Sequence, residues 1–286
     1  MNAIEVRGVH FRYPGAKTET IRGISFDVKQ GEIFGFLGPS GAGKSTIQKI
    51  LTGTLRNYSG SVSVLGKEMK DQTKTYYEKI GVDFEFPNFY SKFTALENLT
   101  YFASLYARET QDPRALLAEV GLAADAKKKV GGYSKGMKMR LGFVRAILHD
   151  PALLFLDEPT SGLDPANART VKNKILEQKA QGKTILLTTH NMHDAEELCD
   201  HVAFIAEGTL KIIGTPHTLR QSGKPVDVEY RYLDQGAQRC GRCPLAQLAQ
   251  AADFQQALRN GTLLSVHSKE QTLEDVFITL TGRTLG

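Results

Sequence analysis

Cysteine is scarce: Cys199, Cys240 and Cys243 are the only three in 286 residues. An odd number so small excludes a disulfide framework. Only the last two form a CxxC, and with no second pair to complete a four-ligand zinc set they read as ordinary loop thiols. Cys199, beside Leu198 on an apolar helix face, reads as core. Long hydrophobic runs are missing too. Crossing a bilayer takes about 18 to 20 consecutive apolar residues, whereas the best runs here, Ala152–Leu156 and Ile185–Leu187, are strand-length. The chain is therefore expected not to span a membrane by itself. Met1–Glu5 lacks a basic region followed by an apolar segment and a small-residue cleavage site, so no secretory signal is read and a cytoplasmic location is expected.

What is present is ordinary globular material, 41% hydrophobic and 23% charged, enough for one large domain and a small one. A net charge of +5 and a pI near 9.0 suit an anionic ligand, a nucleic acid or an anionic membrane surface, and choose none of them. The densest basic run, Lys127-Lys128-Lys129, reads as a solvated helix end.

Apolar and polar residues alternate over Ile4–Val9 and Ile24–Val28 around a Tyr13-Pro14-Gly15 turn, which predicts N-terminal antiparallel strands. Ile33–Leu37 is continuously apolar, as in a strand buried on both faces, and leads through a Gly-rich loop into a helix expected over Ser45–Leu55. Leu153–Leu156 and Thr184–Thr188 repeat the buried-strand signal, separated by a helix over Ala166–Gln181 with Val171, Ile175 and Leu176 turned inward. These are parallel-sheet units. Between Leu96 and His149 the spacing is helical: Leu99, Phe102, Ala103 and Tyr106, then Leu116, Leu117 and Val120, then Leu141, Val144 and Leu148. After Gly214 the pattern becomes a one-sided strand with Val226, Val228, Tyr230 and Tyr232, then a helix over Leu245–Leu258, a strand over Leu263–Val266, and a closing helix with Leu273, Val276, Phe277 and Leu280.

Gly38-Pro39-Ser40-Gly41-Ala42-Gly43-Lys44-Ser45 fits G-x-x-x-x-G-K-[ST] between a buried strand and a helix, the context that marks a phosphate-binding loop. Gly41 and Gly43 let backbone N–H groups close around phosphate oxygens, the helix N-terminus that continues through Thr46 adds partial positive charge, Lys44 reaches the β and γ phosphates, and Ser45 ligates Mg²⁺. At the end of a second buried strand, Asp157 would hold the same Mg²⁺, and the adjacent Glu158 would orient and deprotonate the attacking water.

Asp157-Glu158-Pro159-Thr160-Ser161-Gly162-Leu163-Asp164 resembles, without a gap, the catalytic stretch and D-loop of the ABC transporter ATP-binding family, and the resemblance covers residues 1–213. It implies that Tyr13 stacks on adenine, that His190, after Thr188-Thr189, senses the γ-phosphate, and that Tyr133-Ser134-Lys135-Gly136-Met137 stands for the LSGGQ signature. The signature departs at three of five places but keeps Ser134 and Gly136, which in relatives contact ATP across a dimer; Lys135 replaces the first glycine. In Ile80-Gly81-Val82-Asp83-Phe84-Glu85 the last residue replaces the Q-loop glutamine and would serve the metal. Phe86-Pro87-Asn88-Phe89-Tyr90, Leu96-Glu97-Asn98-Leu99 and Thr272–Phe277 resemble exporter-type relatives that work with separate permease chains.

The expectation is an α/β P-loop ATPase with a mixed sheet, N-terminal antiparallel strands, a helical insertion at about 86–149, and a small α+β C-terminal domain at 214–286. ATP and Mg²⁺ are the expected cofactors. The expected partners are a second copy of the chain, head to tail around nucleotide with Asp164 at the shared site, and an integral-membrane permease that holds the chain peripherally on the inner face of the cell membrane. No nucleic acid is expected, because the chain has one P-loop and no sustained heptads.

Overall fold

The computed structural model describes residues 1–85, 88–221, 226–269 and 271–282, so Phe86 and Pro87 of the exporter-like stretch lie outside the described residues. After Thr215 the chain divides into two compact units.

In the first unit β1 (Asn2–Phe11) pairs antiparallel with β2 (Ile21–Lys29), setting Ile4 opposite Val28 and Val6 opposite Phe26. The alternation thus puts one apolar face inward. β3 (Ile33–Leu37) starts a second sheet, while β4 (Ser59–Val64) joins the free edge of β1 and the short β5 (Lys67–Glu68) follows it. The second sheet adds β6 (Ile80–Asp83), β7 (Leu153–Asp157), β8 (Thr184–Thr189), β9 (His201–Ala206) and β10 (Thr209–Gly214) in the order β10-β9-β3-β8-β7-β6. All neighbours are parallel except the β10–β9 pair at one edge. Every residue of β3, β7 and β8 is buried, the reason for the apolar runs Ile33–Leu37, Leu153–Leu156 and Ile185–Leu187 within them. Phe26 bridges the two sheets, its ring centroid 5.6 Å from that of Phe34 and 4.9 Å from that of Phe36.

α1 (Lys44–Leu51) follows β3 and stops before the expected Leu55, because Gly53 turns left-handed at φ 75° and its N–H closes on the Ile50 carbonyl at 3.0 Å. Between β6 and β7 the chain forms α2 (Ala95–Ala103), α3 (Pro113–Glu119) and α4 (Lys135–Ile147). Each begins at a residue that caps it: Thr94 in a capping box with Glu97, Asp112 before Pro113, and Ser134. Tyr106, expected on the α2 face, lies beyond its end and stacks on the His149 ring at 3.9 Å. α5 (Pro165–Ala180) buries Val171 and Ile175 as the spacing requires, but Leu176 is 36% exposed. A residue one place past Ile175 is about 100° round the helix, so the buried stripe runs through Lys172 and Gln178 instead. α6 (Met192–Leu198) connects β8 to β9, and Cys199 at its end is buried.

The second unit holds α7 (Pro216–Gln221), β11 (Asp227–Asp234), β12 (Ala237–Pro244), α8 (Ala252–Arg259), β13 (Leu263–Lys269) and α9 (Leu273–Thr281), with an antiparallel sheet in the order β12-β11-β13. The helix expected over Leu245–Leu258 is broken: a 3₁₀ turn over Leu245–Gln250 precedes α8. Tyr230 fixes the restart, its hydroxyl donating to Asp253 Oδ1 at 2.6 Å and its ring packing on Phe254 at 5.0 Å. Cys240 and Cys243 are strand residues of β12, not loop thiols, and three positions along a strand set them on opposite faces.

Candidate active site

Three parallel strands end at one edge of the six-stranded sheet. Leu37 pairs with Thr189 and Asp157 with Thr188, so Gly38, Glu158 and His190 leave the sheet side by side, at the carboxyl ends where such sheets take ligands.

The loop after β3 depends on two glycines. A β-carbon on Gly38 would stand 2.1 Å from the Ile205 carbonyl oxygen, so the loop lies against β9 only because none is there. Gly43 caps α1 at φ 112°, a conformation closed to most other residues. No side chain caps that helix, so its first N–H groups face outward for a ligand's oxygens. Lys44 Nζ donates to the Gly38 and Pro39 carbonyls at 2.5 and 3.2 Å. Burial lowers the pKa of this amine, while the charges of Glu158, Asp157 and Glu85 act in the opposite direction.

Asp157 and Glu158 close β7 in different conformations. Asp157 takes a hydrogen bond from the Thr188 hydroxyl on Oδ1 and lies 3.5 Å from the Ser45 hydroxyl through Oδ2. Burial pushes its carboxyl above the usual range, against the pull of the Thr188 bond. Glu158 is left-handed at φ 52°, rare for a residue with a β-carbon, and its N–H donates to the Thr188 carbonyl at 2.9 Å. Its Oε1 lies 2.8 Å from His190 Nδ1, and its Oε2 accepts from the Thr189 hydroxyl at 3.1 Å. Glu158 is nearly enclosed, at 9% side-chain exposure, whereas His190 is 52% exposed.

A cleft of about 430 Å³ gathers Tyr13, Ser40, Gly41, Gly43, Lys44, Ser45, Thr46, Glu85, Asp157, Glu158 and His190. Tyr13 is held edge-on to Phe11 at 4.8 Å, its hydroxyl 3.2 Å from that of Thr46. Gly38, Pro39 and Ala42 shape the loop behind. Ser134, Gly136 and Asp164 do not line the cleft. Ser134 caps α4, accepting from the Met137 N–H at 3.2 Å, and Gly136 sits over Leu163. Asp164 caps α5 through the Asn167 N–H at 3.0 Å, and the backbone and side-chain hydrogen bonds of Asn167 hold its carboxyl below the usual range. The Lys135 side chain runs along Gly162.

Ser45, Glu85 and Asp157 also line a second cleft of about 600 Å³ whose other walls include Tyr77, Phe84, Phe102, Tyr106 and Arg145. The Arg145 guanidinium stands 5.0 Å from the Phe89 ring centre and 5.2 Å from that of Phe102, and donates to the Asn88 carbonyl at 3.0 Å.

A family model described as ABC transporter matches residues 21–161. The fluoroquinolones export ATP-binding protein of Mycobacterium tuberculosis (strain ATCC 25618 / H37Rv) is 53% identical over 284 residues, 99% of this chain and 94% of its own. The Nod factor export ATP-binding protein I of Burkholderia orbicola (strain AU 1054) is 37% identical over 299 residues, 99% of this chain and 98% of its own. The chain belongs to the ABC transporter ATP-binding proteins. A solved ATP-binding subunit of an ABC transporter superposes with a TM-score of 0.70 at 31% identity, covering 77% of this chain and 92% of that one. A dimeric ATP-binding cassette in a post-hydrolysis state, bound to ADP and Pi, shares the fold with a TM-score of 0.67 at 23% identity, over 74% of this chain and 98% of that one. As a member of this family the chain binds and hydrolyses ATP.

The sequence points to His190, just after β8, and gives no role to Thr188 and Thr189 before it, although each bonds one carboxylate of the pair. Their signal was two hydroxyls ending the apolar run Leu186-Leu187. Arg145 carries no such signal, because the Asn88 and Phe89 it touches are more than 50 positions away, and for Asp194 the partners Thr160 and Lys172 are distant as well.

Among the described residues no helix is long and apolar enough to cross a membrane.

Proposed function

We propose that the 430 Å³ cleft is the Mg-ATP site and that this chain is the motor of an exporter whose membrane pore is a separate permease. One observation carries the reading: Glu158, with His190 Nδ1 2.8 Å away, opens into the same cleft as the Lys44 amine and the free end of α1. Tyr13 offers its ring to adenine. The loop N–H groups and Lys44 take the β and γ phosphates, Lys44 exchanging the Gly38 and Pro39 carbonyls for phosphate oxygens. Glu158 accepts a proton from the attacking water, and His190 holds Glu158 in place and faces the γ-phosphate.

The hydroxyl of Ser45 and the carboxylates of Asp157 and Glu85 are hard oxygen donors grouped in one cleft. So small a set suits Mg²⁺, which takes its other ligands from phosphates and water. Bound there, Mg²⁺ would supply charge neutralisation between the β and γ phosphates.

Ser134, Gly136 and Asp164 lie outside their own cleft, which supports a site completed by a second copy set head to tail, with nucleotide as the adhesive. The cleft bounded by Tyr77, Phe84, Phe102 and Arg145 meets the nucleotide cleft at Glu85, so a permease segment seated there senses the metal site. That contact would hold the chain on the inner face of the membrane. Both relatives described above are named for export, which is the direction proposed here.

Gel filtration with Mg-ATP and a phosphate-release assay test the reading together. Glu158→Gln keeps ATP binding, loses turnover and elutes as a dimer, while Lys44→Ala loses binding. A Glu158→Gln protein that stays monomeric at saturating ATP and hydrolyses normally overturns both the base and the dimer.

A further inference from the structure

Asp194, on α6 and 5% exposed, lies outside both clefts, yet it joins the two loops that carry Glu158 and His190. Its Oδ2 accepts from the Thr160 hydroxyl at 2.5 Å and from Asn191 Nδ2 at 3.2 Å. Thr160 is two residues after Glu158, and Asn191 is the residue after His190. The Asn191 N–H in turn donates to Thr189 Oγ1 at 2.9 Å, the hydroxyl that bonds Glu158. A closed ring results: from Glu158 along the chain to Thr160, across Asp194 to Asn191, back to His190, and across 2.8 Å to Glu158.

The other oxygen of Asp194 is 3.3 Å from the amine of Lys172, which is 8% exposed on α5 and also pairs with Glu197. A buried lysine is costly to hold charged, and a buried ion pair is weak as a source of stability, because apolar residues of similar volume serve as well. Helix capping does not account for Asp194 either. At the third position of α6 a capping carboxylate would turn back to the N–H of Asn191, whereas Asp194 reaches the other loop through Thr160.

We propose that Asp194, fixed by Lys172, is a positioning residue that ties Thr160 to Asn191 and thereby sets the distance between Glu158 and His190. This rests on the roles assigned to those two residues above. Misplacement of a catalytic group by a fraction of an ångström lowers turnover with little effect on nucleotide affinity, since the loop that holds phosphate is untouched.

Thr160→Val removes the hydroxyl without unpairing a buried charge, so folding is not at risk, and Thr160→Ser keeps the bond. Steady-state ATPase of the full chain is expected to give a kcat at least about tenfold lower for Thr160→Val, with KM within about twofold and most of the loss recovered in Thr160→Ser. Asp194→Ala lowers kcat likewise, and the double variant with Thr160→Val is no worse than the poorer single one, because both break one connection. Equal kcat for Thr160→Val and the natural chain, equal loss for the Val and Ser variants, or effects that multiply in the double variant each overturn the proposal. Glu158→Gln is measured beside them. Its normal turnover would remove the site reading and this inference together, whereas an inactive Glu158→Gln with a fully active Thr160→Val removes the inference alone.

Discussion

The six-stranded sheet of the first unit and the three-stranded sheet of the second treat polarity in opposite ways. In the first, Asp83, Asp157, Glu158, Thr188 and Thr189 are buried at the ends of apolar strands, where each must find a partner or shift its protonation. In the second, charges stand in solvent: Arg242 pairs with Asp227 at 2.7 Å and Arg239 with Asp234 at 2.8 Å, with the arginines about 60% exposed. Polar groups that cost much to bury gather at the strand ends of the six-stranded sheet, and those that cost little decorate a surface. Substitutions should therefore be felt very unequally in the two sheets.

The largest contrast is in turnover. Glu158→Gln is expected to lower kcat by about 10²-fold or more, the usual scale for losing a general base, while Cys240→Ser with Cys243→Ser changes it by less than about twofold. Phosphate release under saturating Mg-ATP measures both, and a loss of activity in the double cysteine variant would break the comparison.

Stability comes next. Phe155, fully buried in β7, should cost about 3–5 kcal/mol when cut to alanine, whereas Leu264, 51% exposed on β13, should stay within about 0.5 kcal/mol. Urea titrations of the two variants decide it.

Asp83 sharpens the same contrast through pH. It is fully buried at the end of β6, neither oxygen has a hydrogen-bond partner, and burial pushes its pKa up to about 8. The native state binds this proton more tightly than the unfolded chain, so the stability it contributes is complete below about pH 4 and is lost as pH rises towards 8. Asp83→Asn should gain on the natural chain over that window by up to about 1.4 kcal/mol per pH unit. Unfolding at pH 5 and pH 8 measures it, and a gap that narrows towards pH 8 contradicts the assignment.

Glu85 should give a smaller thermodynamic effect. Glu85→Ala is expected to change ATP affinity by less than about 1.4 kcal/mol, yet to reduce hydrolysis stimulated by the reconstituted permease strongly, with Glu85→Gln retaining most of both. Equal stimulation of Glu85→Ala and the natural chain would sink the coupling role. Smallest of all, Arg242→Ala should cost about 0–1 kcal/mol and less in high salt, as exposed pairs do.

The outline of this molecule was legible wherever the signal is local. Gly38–Ser45 follows an apolar strand and opens a helix, Asp157-Glu158 ends another apolar strand, and alternation marks β1, β2 and β11, so those elements and the place of the loop could be read in order. Local signals also misled. Leu176 and Tyr106 have the right spacing for a buried face but sit on the wrong side of α5 or past the end of α2, and Leu245–Leu258 has helical composition but forms a 3₁₀ turn before α8.

By itself the sequence determined which groups are available for chemistry: a lysine at the start of a helix, two adjacent carboxylates at the end of a strand, and apolar runs long enough for strands but not for a bilayer. Only the tertiary structure decided how those groups meet. Parallel registration of β3, β7 and β8 brings residues 38, 158 and 190 to one edge, a left-handed Glu158 turns its carboxylate to His190, and Lys172 becomes a buried partner of Asp194 on another helix. Propensity and period act over a few residues, whereas these pairings span up to 152 positions, from Leu37 to Thr189, and nothing in the spacing of side chains along the chain encodes the closing of such distances.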